Sequence, residues 1–136
     1  MKLLIDTNVI LDILLERKPF VEDAAMLFKI AQKKKFTLFI TSTTVTDIYY
    51  IARKEKGRNS TLAFLKDLLQ FVNVASVDKN IVLQSLESDM PDFEDAIQIF
   101  SAKNEAITTI ITRNEADFEH SGLFVLSPNS FIKLES

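Results

Sequence analysis

The sequence predicts a three-layer α/β/α sandwich on a central, mainly parallel sheet. Short continuous apolar runs, the mark of strands buried on both faces, alternate with segments whose apolar residues recur at helical spacing. The first run, Leu3-Leu4-Ile5, passes directly into Val9, Ile10, Ile13 and Leu14, a strand followed by its crossover helix. The chain of 136 residues is 47% hydrophobic and 26% charged, which suits one domain over residues 1–136 with a core of its own.

The elements follow in order. Lys18-Pro19-Phe20 breaks the first helix, and Ala24, Ala25, Leu27, Phe28 and Ala31 describe an amphipathic second helix ending in Lys33-Lys34-Lys35. Phe36 to Ile40 reads as the second strand. Thr41-Ser42-Thr43 can cap the next helix, whose stripe is Val45, Ile48, Tyr49 and Ala52, and Gly57 stops it. Leu62, Leu65, Leu68, Leu69 and Val72 mark a further helix, capped by Asn59 or Ser60. A short third strand is expected at Val74 to Val77, then a helix from Asp78 as cap to about Leu86, and a loop from Ser88 to Pro91. The next helix shows Phe93, Ala96, Ile97 and Phe100 on one face. Ala106 to Thr112, β-branched and apolar, is the clearest internal strand. Leu123 to Leu126 is the fifth strand, and Pro128 to Leu134 a closing helix.

The composition narrows the chemistry. There is no cysteine, hence no thiol nucleophile or thiolate metal site, and a lone His120 cannot build a multi-histidine zinc centre. The two glycines, Gly57 and Gly122, are too few and too far apart for a P-loop or a dinucleotide fingerprint. No apolar stretch approaches the roughly 20 residues that span a bilayer. Asp6, Asn8 and Asp12 interrupt what would be a signal peptide, so the expected location is cytoplasmic, with no membrane partner. The net charge of −3 does not announce a nucleic-acid binder, and the basic runs read as solvated helix ends unless they border a site that handles phosphate.

Carboxylates are what remains in quantity. Four segments place them near strand ends: Asp6, Asp47, the Asp92-Phe-Glu-Asp95 run, and Thr112-Arg-Asn-Glu-Ala-Asp-Phe118. Parallel sheets bind ligands at the carboxyl ends of their strands. Acids gathered at one point repel, a cluster that a cation neutralises, and oxygen donors suit hard ions such as magnesium and manganese. Asp6 ends a buried strand, and Asp95 adjoins the apolar stripe of its helix. Asp92 and Glu94 fall in a first helical turn, where acids favour the macrodipole. Asp12, Asp89, Glu115 and Glu119 are expected to be surface charges.

The chain resembles the PIN domains. The resemblance rests on Asp6-Thr-Asn-Val-Ile-Leu-Asp12, Asp47-Ile-Tyr-Tyr-Ile51, Asp92-Phe-Glu-Asp-Ala-Ile-Gln98 and Ile111-Thr-Arg-Asn-Glu-Ala-Asp-Phe118, in family order over nearly the whole chain. It implies a compact α/β domain with a parallel sheet and a metal-dependent ribonuclease activity, as in VapC-like toxins of toxin–antitoxin pairs. Asp6, Asp95 and Asp117 then occupy three of the family's acidic positions and hold Mg2+ or Mn2+, and Asn114 takes an auxiliary polar one. The second acidic position is commonly glutamate in the family; here it is Asp47, one methylene shorter, which reaches the metal directly or through water. Asp95 is preferred to Asp92 because it precedes Ala96 in the family's Asp-Ala step, with Asp92 as the secondary candidate.

The expected reaction is hydrolysis of an RNA phosphodiester at Asp6, Asp47, Asp95 and Asp117. Thr7, Asn8 or Asn114 would orient water or phosphate, and Arg53 or Arg113 would meet the RNA backbone. An antitoxin protein and a second copy of the chain, as a homodimer, are the partners the resemblance implies. The rival reading is a PIN-like domain that binds RNA or a protein without cutting. A phosphatase using Asp6 as nucleophile would want a second acid two residues on, and position 8 is Asn.

Overall fold

The computed structural model describes residues 1–136. The elements are β1 (Lys2–Ile5), α1 (Thr7–Leu14), α2 (Val21–Lys33), β2 (Thr37–Thr41), α3 (Ser42–Lys56), α4 (Arg58–Leu68), β3 (Val72–Ala75), α5 (Lys79–Glu87), α6 (Phe93–Asn104), β4 (Thr109–Ile111), a single 3-10 turn (Glu115–Phe118), β5 (Phe124–Leu126) and α7 (Pro128–Glu135). The five strands form one sheet in the order β3-β2-β1-β4-β5, and every pair is parallel.

Strand residues alternate between two cores, as the period of two in a pleated strand requires. Leu3 and Ile5 of β1, Leu38 and Ile40 of β2 and Ile111 of β4 face one core, with Val9, Leu27, Ile48, Leu65 and Phe131 from the helices on that side. Leu4, Phe39 and Ile110 face the other, under Ile99 and Ala102 of α6, and α5 packs on α6. The sandwich is therefore filled on both faces.

Strand order reverses at β1. The chain winds outward through β2 and β3, then returns to lay β4 on the opposite side of β1. Such a switch point opens a crevice at the carboxyl ends of the two central strands. Here Asp6 N–H donates to Ile111 O at 3.0 Å, and Thr112 N–H to Leu126 O at 2.9 Å, so the residues just past β1 and β4 are still tied into the sheet.

Several boundaries move from the sequence reading. β3 lies at Val72–Ala75 instead of Val74–Val77, because its register is set by pairing Leu38 with Val72 and Thr41 with Ala75; Val74 is exposed on this edge strand. The strand expected over Ala106–Thr112 shrinks to Thr109–Ile111. Ala106 takes a left-handed φ of 56°, and Ile107 N–H donates to Ala102 O, so these residues end α6. Gly57, with φ 82°, both ends α3 and occupies the cap position of α4, a place expected of Asn59 or Ser60. Asp78 caps α5 as expected, accepting from Ile81 N–H at 2.9 Å. In α6 the buried side is Ala96, Ile97, Gln98, Ile99, Ser101 and Ala102, while Phe93 is 48% exposed.

Candidate active site

Asp6 sits where β1 hands over to α1, and its side chain is the N-cap of that helix. Oδ1 accepts from Thr7 N–H at 2.7 Å, and also from Gln98 Nε2 of α6 at 3.0 Å. Oδ2 accepts from Thr112 Oγ1, just past β4, at 2.7 Å. One carboxylate thus joins three elements that are far apart in sequence, and it is only 6% exposed. The same Thr112 Oγ1 accepts from Asn114 N–H at 3.0 Å, which shapes the turn leading to Asp117.

Asp95 and Asp117 both line a cleft of about 420 Å³, together with Asp89, Asp92 and His120. Asp92 caps α6, accepting from Asp95 N–H at 3.0 Å, so helix formation itself draws it beside Asp95. Asp117 is held by the 3-10 turn, which the buried Phe118 anchors in the core. Partial burial pushes the Asp95 carboxyl up to about 7, with the charges of Asp92, Asp6 and Asp117 adding to the shift. Asp6, Asp92, Asp95 and Asp117 therefore share one electrostatic field.

Neither Asp6 nor Asp47 lines this cleft: Asp6 lies buried behind it, within the field of Asp95, and Asp47 is hydrogen-bonded to Glu94. That bond, reinforced by burial and by the charges of Asp47, Asp92 and Asp95, pushes Glu94 up to about 7. Glu94 was expected only to favour the helix dipole; in the fold it faces a second carboxylate, that of Asp47. Thr7 Oγ1 pairs with Thr44 Oγ1 at 3.0 Å, while Asn8 Oδ1 is buried without a hydrogen-bond partner.

The two arginines part company. Arg113 makes a two-pronged pair with Asp12, Nε to Oδ2 at 2.7 Å and Nη2 to Oδ1 at 3.1 Å, and its guanidinium lies 3.9 Å from the Phe20 ring centre. Two of its five N–H donors are thus taken by Asp12, and the side chain remains 26% exposed. Asp12, expected at the surface, is 0% exposed and is also 3.8 Å from Arg17. Arg53 stays on the exposed end of α3, over the rings of Tyr49 and Tyr50.

Gln98 and Thr112, which grip Asp6, went unnoticed as site residues, as did Glu94. No local signal marks Gln98: its burial comes from the packing around α6, and only there does a buried amide demand a partner.

The donor set is entirely oxygen, the preference of hard divalent ions. No three acidic or histidine side chains converge into a ready-made cage. Magnesium does not need one, because it takes one or two carboxylates and fills its remaining positions with water and phosphate. The crowding that raises Asp95 is what a cation would relieve, so the residues fit such an ion.

The family model for the PIN domain matches residues 2–116. The chain belongs to the PIN domain family. It is similar to Ribonuclease VapC1 of Aquifex aeolicus (strain VF5), 28% identical over 135 residues, covering 96% of this chain and 92% of that protein. Its fold matches DNA-bound VapBC from Salmonella typhimurium with a TM-score of 0.72 at 18% identity, covering 94% of this chain and 98% of that one. It also matches VapC20 of Mycobacterium tuberculosis, a toxin that cleaves the sarcin-ricin loop, with a TM-score of 0.71 at 15% identity, covering 89% and 95% of the two chains. These structural likenesses speak for the fold of this PIN domain, and its carboxylates speak for the chemistry.

Proposed function

We propose that this PIN domain is a metal-dependent ribonuclease that hydrolyses RNA phosphodiester bonds, and that it is the toxin of a toxin–antitoxin pair. The observation that carries the reading is the crowding of Asp95 by Asp6, Asp92 and Asp117 at the topological switch point of the sheet. The similarity to Ribonuclease VapC1 over nearly the full length of both chains supports the substrate class.

Asp6, Asp95 and Asp117 would hold Mg2+ or Mn2+, which when bound polarises a phosphoryl oxygen and lowers the pKa of a bound water. The protein's own part is placement. Three hydrogen bonds fix Asp6 before any substrate arrives, and the Thr112 turn fixes the approach of Asp117. Asn114 is exposed at the start of that turn, where it would orient phosphate or water, and the free buried acceptor of Asn8 would take a hydrogen bond from water. Glu94, whose carboxyl is raised chiefly by Asp47, flanks this centre, and Asp47 would complete it directly or through water. Arg53 remains available to the RNA backbone.

An antitoxin is the protein partner we propose. Solved relatives include VapBC2 from Rickettsia felis bound to a fragment of its promoter DNA, and a toxin–antitoxin complex from Klebsiella pneumoniae. In this chain exposed Tyr50 and Ile51 follow Asp47 on α3, and exposed Phe93 precedes Glu94 on α6. A partner segment carrying a cation between apolar residues would match that surface.

The test is cleavage of a varied RNA set with magnesium or manganese by wild type and by Asp95→Asn, each free of contaminating nuclease. Wild type should cut, and Asp95→Asn should lose at least about 100-fold. Full activity of the variant would remove Asp95 from the site. No cleavage by wild type, with RNA still bound, would favour the binding-only reading.

A further inference from the structure

Gln98 lies on α6, one turn past Asp95, and is 5% exposed. Its two ends are treated differently. Nε2 donates to Asp6 Oδ1 at 3.0 Å, and this contact settles the amide's orientation, because a carboxylate only accepts and only the NH2 donates. Oε1 is buried and has no hydrogen-bond partner. A buried acceptor left unpaired is costly, and an apolar residue of similar size would avoid that cost.

Asp6 is the complement of this amide. A carboxylate offers about four lone-pair sites, two on each oxygen. On Oδ1 both are used, by Thr7 N–H and Gln98 Nε2; on Oδ2 one is used, by Thr112 Oγ1. One site remains free, and it is on Oδ2.

We infer that Gln98 is a positioning residue of the cation site: it saturates Oδ1 so that Asp6 binds an ion through Oδ2 alone, and its orphaned Oε1 is completed by a water that enters with the ion. This rests on the reading that Asp6 holds a divalent cation. It explains why a buried amide stands one turn from Asp95: one end presets the ligand, and the other waits for the ion's hydration shell. Residues that orient a metal ligand in this way typically change metal affinity by about 10- to 100-fold when replaced.

The experiment measures Mn2+ binding by titration calorimetry to wild type and Gln98→Met, with melting in chelator as the check on folding. Met keeps the length and volume while removing donor and acceptor. The Mn2+ dissociation constant of Gln98→Met should weaken by about tenfold or more, and its melting temperature in chelator should equal or exceed that of wild type. A dissociation constant within about twofold of wild type overturns the assignment, since a merely structural amide would alter melting and leave affinity alone. If the variant does not fold, wild type answers by NMR. Mg2+ should shift the side-chain amide resonances of Gln98 with the midpoint of ion binding, and unmoved resonances overturn the inference. Wild type that binds no Mn2+ at all overturns the cation-site reading itself, a result distinct from unaltered affinity in the variant.

Discussion

Glu94 and Asp95, neighbours at the start of α6, carry the clearest electrostatic signature of the site. Both are raised to about 7, Glu94 by its bond to Asp47 and Asp95 by burial among like charges. A group whose folded pKa exceeds its unfolded one binds its proton more tightly in the fold. Its stabilising contribution is complete below the unfolded value, near 4, and is lost as pH rises through about 7. In chelator the melting temperature should therefore rise as pH falls from about 8 to about 6, until other native carboxylates protonate. Asp95→Asn should flatten that slope. A melting temperature that is level or climbs with pH in this window contradicts the crowding. None of this was readable from Glu94 alone, since an acid in a first helical turn looks the same whether it faces solvent or another carboxylate.

The turn after β4 is pinned to α1 twice, by Thr112 on Asp6 and by Arg113 on Asp12. The second pair involves a fully buried carboxylate, so Arg113→Met should leave Asp12 with only Arg17 and cost about 3 kcal/mol in denaturant unfolding. Arg53→Ala, on an exposed face, should stay within about 0.5 kcal/mol. Equal small effects from both would mean that Arg113 is a surface charge after all. The sequence made the local half of this arrangement legible. The apolar run ending on Asp6, the cap at Asp78 and the stop at Gly57 are signals written within a few residues of where they act. It could not show the partner of Asp12, which lies 101 residues away. Edge strand β3 slipped by two residues for a related reason, because its register belongs to β2 and not to its own valines. On α6 the expected apolar face holds at Ala96 and Ile97 and fails at Phe93, because burial extends instead to Gln98 and Ser101, which no apolar periodicity marks.

At the scale of the molecule, strand order brings β1 and β4 side by side, and so assembles acids from opposite ends of the chain at one crevice. This cluster is the proposed cation site, and Asp95 takes part in it. A ligand that binds only the folded state stabilises it by roughly 2.7 kcal/mol at about 100 times its dissociation constant. Without the ion the same carboxylates repel, so the ion and the charge act in opposite directions on one observable. The direct measurement is thermal melting of wild type and Asp95→Asn, each in chelator and in excess manganese. Asp95→Asn should melt above wild type in chelator and gain less from the metal. If it melts below wild type in chelator and manganese shifts both proteins equally, Asp95 is a structural carboxylate and the cation site lies elsewhere.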